Sequence, residues 1–231
     1  MDPKNEMATA QLAQILMFEN KNAEALGLAR KLMGMKPKEP RYKLLFGMVN
    51  MRMKKFDAAE DAFKSVLHAA PGDEAALMNL CGCYGAQKKY GDVLAICEKL
   101  LKAHPDNLRA RMMAAMAAEQ IGDRTGAIRY YETTAKDTPA APQALMNISR
   151  LYRAMAKPEK SAETMKRLLK IDKNNFDANF NLGAYEYSKK NIKAAETYWL
   201  AARRAQPANP AVNVNLAMVQ GRLGKVKEAS A

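Results

Sequence analysis

Small and apolar side chains recur at fixed places along this chain with a period of 34 residues. Prolines mark the period, and Lys173 stands in the one place where the series is interrupted. The periodic prolines are Pro3, Pro37, Pro71, Pro105, Pro139 and Pro207. Because proline is tolerated in the first turn of a helix but breaks its interior, this spacing predicts helices of about 14 residues separated by short turns.

When each repeat is numbered so that the periodic proline is position 32, further positions show a fixed size class. Position 7 is apolar and positions 8 and 20 are small, with Val93 the bulkiest residue at position 20. Position 24 is large in most repeats, as in Phe63, Tyr131, Met165 and Trp199. Small residues let two helix backbones approach closely while bulky neighbours fill the space beside them. The pattern therefore predicts tightly packed helix pairs.

Each repeat is expected to form one helical hairpin. The repeats begin near Glu6, Pro40, Glu74, Leu108, Pro142, Phe176 and Pro210. First helices are predicted near residues 6–19, 40–53, 74–87, 108–121, 142–155, 176–189 and 210–223. Second helices are predicted near residues 22–35, 56–69, 90–103, 124–137, 158–171 and 192–205, with a stub after Lys225. One hairpin cannot bury its apolar stripe alone, whereas stacked hairpins bury it continuously, so the sequence predicts an all-α solenoid.

This pattern resembles the tetratricopeptide repeat (TPR) family in its period, in the small residues at positions 8 and 20, and in the proline at position 32. The fuller motif of that family appears in Asn181-Leu182-Gly183, in Gly122-Asp123, and in Tyr84 and Tyr152 at position 11. The resemblance implies a right-handed α-solenoid of stacked antiparallel helix pairs. It covers residues 1–231, which are expected to form a single array with an incomplete last repeat.

Both ends of the sequence lack the polar capping helix with which solenoids commonly finish. Asp2-Pro3-Lys4-Asn5 is typical of the closing turn of an earlier repeat, and Ala231 falls inside the second helix of the seventh repeat. We therefore expect this chain to be a segment of a longer array. A complete protein with frayed ends is the alternative.

Composition narrows the class of protein. There are 37 Lys and Arg against 24 Asp and Glu, a formal net charge of +13, and 48% of the residues are hydrophobic. Three cysteines cannot build a disulfide framework, and no apolar run reaches the roughly 18 residues of a membrane span. The start, MDPKNEMATA, lacks the basic and apolar regions of a signal peptide. We expect a cytoplasmic protein, or a periplasmic one if an upstream targeting segment is missing.

Candidate catalytic chemistry is sparse in this sequence. His68 and His104 fall at the ends of second helices, without Cys, Asp or Glu at metal-ligand spacing. Cys81 and Cys97 occupy positions 8 and 24, where a free cysteine fills a core as a small hydrophobic residue. Neither a Ser-His-acid set nor a Gly-rich phosphate loop occurs. The sequence predicts no enzyme, no cofactor and no metal.

The resemblance also indicates where a partner would bind. In the TPR family the concave face is lined by the first helices, chiefly at positions 2, 5, 6, 9, 12 and 13. The candidate groove residues are Leu44, Leu45, Met48, Met51, Met78, Asn79, Arg109, Met112, Met113, Met116, Asn147, Arg150, Arg153, Phe180, Asn181, Tyr187 and Asn215. Methionine is unbranched and suits variable apolar side chains of a bound segment, while asparagine can donate to and accept from a peptide backbone.

We therefore predict a non-enzymatic scaffold for protein–protein interaction, of the kind that serves bacterial assemblies in this family. Two alternatives stay open. The basic residues between Asn147 and Lys173 favour an acidic protein, anionic lipid or nucleic acid, and open solenoid ends favour head-to-tail self-association. The carboxylate clamp by which some family members hold chaperones is matched only at Asn79 and Arg109, so that function is disfavoured.

Overall fold

A computed structural model describes residues 3–136 and 138–224, which form thirteen α-helices and no strand. The first helices of the repeats are α1 (Pro3–Phe18), α3 (Pro40–Arg52), α5 (Glu74–Ala86), α7 (Leu108–Gln120), α9 (Ala141–Ala154), α11 (Phe176–Ser188) and α13 (Pro210–Arg222). The second helices are α2 (Asn22–Met35), α4 (Phe56–Ala69), α6 (Tyr90–Ala103), α8 (Arg124–Thr134), α10 (Pro158–Ile171) and α12 (Ile192–Ala205).

The helices belong to two compact units, Met1–Asp123 and Arg124–Ala231. In the first unit, α1 to α7 pack in chain order, each against the next, and α8 to α13 do the same in the second unit. Each unit is therefore a stack of helical hairpins, and the predicted all-α solenoid is confirmed. None of the described helices is long and apolar enough to cross a bilayer.

The predicted bounds hold at both ends of five of the six second helices, and each first helix ends one residue before its predicted end. Three further bounds differ. The first helix begins at Pro3, so residues 3–5 of the expected closing turn are helical, as a proline at the first helical position allows; Asp2 lies outside the described residues. Helix α8 ends at Thr134, three residues early, where the Thr138 hydroxyl donates to the Thr134 carbonyl at 2.6 Å. Helix α9 begins one residue early, at Ala141. The predicted stub after Lys225 lies outside the described residues.

Side-chain caps fix the starts of several first helices. The Asp73 carboxylate accepts from the Ala76 amide at 2.7 Å, and the Asn107 side chain accepts from the Ala110 amide at 2.9 Å. These bonds satisfy N–H groups that have no partner within the helix. These caps fix where α5 and α7 begin.

The turn within each repeat places its fifteenth residue in the left-handed region, at Lys54, Lys88, Gly122, Ala156 and Lys190 among others. The next residue donates its amide back into the last turn of the first helix, as Lys55 does to the Asn50 carbonyl at 2.9 Å. This hydrogen bond is the mark of a Schellman motif. The same turn therefore reverses the chain in each of these repeats.

The core follows the small and large positions of the sequence. Phe63 and Trp199 are fully buried at position 24, and each ring occupies the space beside the glycine at position 8 of its own repeat. Cys81 and Cys97 fill the equivalent place in the third repeat, with their sulfur atoms 3.3 Å apart. The predicted close approach of paired helices is confirmed at these positions.

Candidate functional site

In the first unit, an open depression of about 420 Å³ lies between α5 and α7. Three predicted groove residues line it, namely Met78, Asn79 and Arg109, together with Glu74 and Ala75. The Asn79 amide donates to the Ala75 carbonyl of its own helix at 2.9 Å. Part of the hydrogen-bonding capacity of Asn79 is therefore used within α5, and the depression offers an apolar, a polar and a cationic side chain together.

The methionines of α3, α5 and α7 lie partly at the surface and partly between helices. Met48, Met51, Met78, Met112 and Met113 are half-buried, as is Leu44, whereas Met116 is 57% exposed. Met48 packs against the core of the first repeats, and Met78 packs against the cluster of Leu77 and Leu100. The thioether chains thus fill gaps between helices and also present part of their surface to solvent.

Leu45 does not belong to this surface. It is only 5% exposed and packs in the cluster that contains Leu26, Leu32 and Val49. Its prediction as a groove residue was wrong, because position 6 of the second repeat contributes to the hydrophobic core between α2 and α3.

In the second unit, a smaller depression of about 180 Å³ lies between α9 and α11. Its lining consists of Gln143, Met146, Asn147, Ser149, Arg150, Arg153, Met165, Asp177 and Asn181. Four of these residues were predicted from the sequence, and they come together from two consecutive first helices. Gln143, Met146 and Asp177 were missed, although they occupy positions 2 and 5 of their repeats and the register alone could have found them.

Asn181 is a positioning residue in this depression. Its Oδ1 accepts a hydrogen bond from Arg153 Nη1 at 2.6 Å, and its Nδ2 donates to the Asp177 carbonyl at 2.7 Å. The helix backbone thus holds the amide, and the amide holds the guanidinium. Because Arg153 has five N–H donors in a fixed plane, one such bond orients the group and does not consume it.

The remaining predicted residues, on α11 and α13, form an aromatic and aliphatic surface. Tyr187 Oη lies 3.3 Å from the Met218 sulfur, and the Arg222 guanidinium stacks 4.9 Å from the Tyr187 ring centre. Phe180, Tyr187 and Asn215 are half-buried. Val214 and Met218, 66% and 39% exposed, were missed, although they occupy the same positions 5 and 9 as the methionines of earlier repeats.

Charge on the basic segment from Asn147 to Lys173 is partly balanced within the second unit. Arg167 donates two hydrogen bonds to the Glu132 carboxylate, at 2.7 and 2.8 Å, and this carboxylate raises the pKa of the Arg167 guanidinium. Arg150 and Arg153 are exposed and line the depression between α9 and α11. Within the second unit, two of the three basic side chains of the first helices therefore lie at this depression.

The cysteines act as core residues. Cys81 and Cys97 are fully buried, and the hydrogen bond between the two sulfur atoms, together with burial, raises the pKa of the Cys97 thiol. Within residues 3–136 and 138–224, no group of three His, Cys, Asp or Glu side chains could hold a metal ion. The prediction that Cys81 and Cys97 fill the core is confirmed.

Two family models described as tetratricopeptide repeat match this sequence. One matches residues 50–116, and the other matches residues 10–74, 112–154 and 146–210, which is more than half of the chain. The sequence matches no curated protein significantly.

Several solved structures share the fold. The C-terminal part of a TPR repeat-containing protein from Cytophaga hutchinsonii superposes with a TM-score of 0.69 at 14% identity, over 95% of this chain and 88% of that one. PilF of Pseudomonas aeruginosa gives a TM-score of 0.61 at 14% identity, over 95% of this chain and 98% of that one. YrrB, described as a TPR protein with an unusual peptide-binding site, gives a TM-score of 0.59 at 15% identity, over 85% of this chain and 97% of that one. At these identities, the likeness concerns the fold alone.

Proposed function

Because the chain belongs to the tetratricopeptide repeat family, we propose that it is a non-enzymatic scaffold that binds a peptide segment of a partner protein, within a multiprotein assembly. The segment lies on the first-helix surface, which we define as positions 2, 5, 6, 9, 12 and 13 of the repeats. TPR repeats serve protein–protein interaction. That the ligand is a peptide segment, and that it binds to the first-helix surface, is our proposal.

The observation that carries the proposal is that side chains from consecutive first helices line common depressions in both units. Met78 and Asn79 of α5 share a depression with Arg109 of α7, and Asn147 of α9 shares one with Asn181 of α11. A surface built in this way presents different side chains to successive residues of an extended segment. YrrB, which shares the fold, offers a precedent for peptide binding by such repeats.

Exposed apolar side chains on the first helices supply a source of affinity. Met116 and Val214 are among the most exposed large apolar residues of the chain. Fully burying a side chain of this kind contributes about 1.5–3 kcal/mol. Three or four such contacts support about micromolar affinity after the entropy cost of ordering the peptide.

The test is a selection of displayed random peptides on the full chain, followed by affinity measurements on synthetic copies of the selected peptides. Met116→Asp and Val214→Asp each place a charge on the first-helix surface. Ile171→Asp is the matched control, because Ile171 is 55% exposed, like Met116 at 57%, but lies on the second helix α10. We expect at least one of the first-helix variants to weaken binding by about ten-fold or more, while the control binds like the unaltered chain.

Two results would contradict the proposal. One is a selection that enriches no peptide. The other is an affinity that is equal in Met116→Asp, Val214→Asp and Ile171→Asp, since binding would then not involve the first-helix surface. If RNA is retained in a strongly salt-dependent manner and peptides are not, the polyanion-binding alternative is favoured instead.

Self-association is a second candidate function, favoured by the outer surface of α1. Leu12 and Ile15, at positions 7 and 10 of the first repeat, are 47% and 54% exposed there and lie outside the positions that define the first-helix surface. Apolar patches of this kind commonly mark association sites. Molecular mass that rises with protein concentration in light scattering would support this candidate.

A further inference from the structure

We propose that the depression between α9 and α11 receives an acidic side chain of the bound peptide, and that α11 and α13 hold an apolar side chain of the same peptide beside it. This inference rests on the proposed function and names the class of partner that the second unit selects.

One cationic side chain of the depression is placed to meet a carboxylate. Arg153 lines it with an exposed guanidinium, a group that forms charge-assisted hydrogen bonds with carboxylates. Arg153 is held in place by Asn181, and Asn181 is held by the backbone of α11. A guanidinium that is oriented before binding loses less side-chain entropy when it meets a carboxylate.

The floor of the depression limits what can enter. Ser149 and Met165 are each 3% exposed, and the Ser149 hydroxyl is engaged with the Ser161 hydroxyl at 2.7 Å. Its volume of about 180 Å³ is below the roughly 300–1,000 Å³ of pockets that hold drug-sized ligands. It therefore suits one side chain, whose carboxylate can form a charge-assisted hydrogen bond there.

The neighbouring apolar contact is provided by α11 and α13. Val214 and Met218 are exposed on α13, and Met218 contacts Tyr187 of α11, the helix that also carries Asn181. Packed helices lie about 8–10 Å apart, which an extended peptide crosses in about three residues. The preferred segment therefore has an Asp or Glu about three residues from a large apolar residue.

Peptide display tests this preference without requiring the partner to be identified. Random peptides of about twelve residues, long enough to cross three neighbouring first helices, are selected on the full chain, on Arg153→Gln and on Arg204→Gln. Arg204 is the matched control, because it is an exposed arginine on the second helix α12. Displayed peptides are joined to the coat protein through their C-termini, so any acidic preference must come from side chains.

We expect the unaltered chain and Arg204→Gln to enrich peptides with an acidic residue about three positions from an apolar one. Arg153→Gln should lose the acidic preference. For one selected peptide, synthesised with an amidated C-terminus, changing its acidic residue to the amide should weaken binding to the unaltered chain by about five- to ten-fold. The same change should have little effect on binding to Arg153→Gln.

Peptides that bind without acidic enrichment, or whose acidic enrichment survives Arg153→Gln, would overturn this inference and leave the proposed function standing. Binding that requires a free C-terminal carboxylate would also overturn it. A selection that yields no peptide at all would instead overturn the proposed function, and this inference with it.

Discussion

The indole ring of Trp199 on α12 occupies the space that a side chain at Gly183 on α11 would need. A methyl group at Gly183 would overlap the pyrrole part of the ring, and the indole N–H donates to the Phe180 carbonyl at 3.1 Å, which fixes the ring in place. Trp199 is 1% exposed and is the one tryptophan of the chain. Position 8 is therefore small because the ring at position 24 occupies the space beside it.

We predict that Gly183→Ala destabilises the second unit by about 1–3 kcal/mol, the usual cost of overpacking a core. Gly27→Ala is the control, because Gly27 lies within α2 with nothing near its Cβ position, and alanine there should stabilise by up to about 1 kcal/mol. Urea unfolding followed by Trp199 fluorescence and by circular dichroism measures both effects.

A second change tests whether the ring causes this cost. Trp199→Tyr in the Gly183→Ala background gives the Ala and Tyr pair found at positions 8 and 24 of the fourth repeat, as Ala115 and Tyr131. The double variant should be more stable than the sum of the single changes predicts, by about 1 kcal/mol. Strict additivity would contradict the explanation.

The turn residues with positive φ lead us to predict opposite changes in stability for two substitutions. Ala156 has a φ of 54° and Gly122 a φ of 86° at the same position of their repeats. Because a Cβ is disfavoured in this conformation, Ala156→Gly should stabilise by up to about 1 kcal/mol and Gly122→Ala should destabilise by about 1–2 kcal/mol. Ala184→Gly, at an exposed position of α11, is the control and should destabilise by about 1 kcal/mol. Denaturation midpoints that move the same way for Ala156→Gly and Ala184→Gly would refute this prediction.

Glu60 gives the stability of the first unit a dependence on pH. Lys64 donates to its carboxylate at 2.6 Å and Tyr84, from the next repeat, at 2.9 Å, and these bonds lower the pKa of Glu60 below its ordinary value of 4.5. A carboxylate with a lowered pKa stabilises the fold above its ordinary pKa, and this stabilisation is lost as the pH falls through the lowered value. Glu60→Gln should therefore be less stable than the unaltered chain near neutral pH, and this difference should shrink below pH 4.5.

Urea midpoints of both proteins, measured by circular dichroism across this range, test the prediction. Glu163→Gln, at an exposed position of α10, serves as the control. A difference between Glu60→Gln and the unaltered chain that stays constant with pH would show that the carboxylate charge is not involved.

Self-association through α1, if it occurs, should depend on the apolar side chains that this helix exposes. We predict that Leu12→Glu, or Ile15→Glu, removes any rise of molecular mass with concentration, because a charge on the patch opposes its burial. Ile171→Glu is the control, because Ile171 is as exposed as Ile15 but lies on α10, and this variant should leave the mass unaffected. Scattering that is unchanged by Ile15→Glu would exclude this surface.

The fold was predictable to within a few residues because prolines, small residues and bulky residues recur in one register. The starts of α2, α4, α6, α10 and α12 match the prediction. The early end of α8 was not predictable, since Thr134 continues a helical pattern. Beyond the end of α8, the Thr138 hydroxyl donates to the Thr134 carbonyl.

The candidate site was predictable in its positions and less so in its contacts. The repeat register, together with the groove positions implied by the TPR resemblance, gave Asn147, Arg150, Arg153 and Asn181, which the structure brings to one depression. The bond between Arg153 and Asn181 depends on side-chain rotamers of two neighbouring helices, which no pattern in one repeat encodes. Leu45 was wrongly predicted as a groove residue because its burial depends on contacts with the neighbouring repeat.

The most direct test of the central claim is to locate a bound peptide by photo-crosslinking. A selected peptide with a photoreactive residue is irradiated in complex with the full chain, and the crosslinked residues are mapped by mass spectrometry. We predict crosslinks on the first helices, at positions such as Met116, Arg153 or Val214. Crosslinks confined to the exposed faces of α4, α6, α10 or α12 would contradict the account.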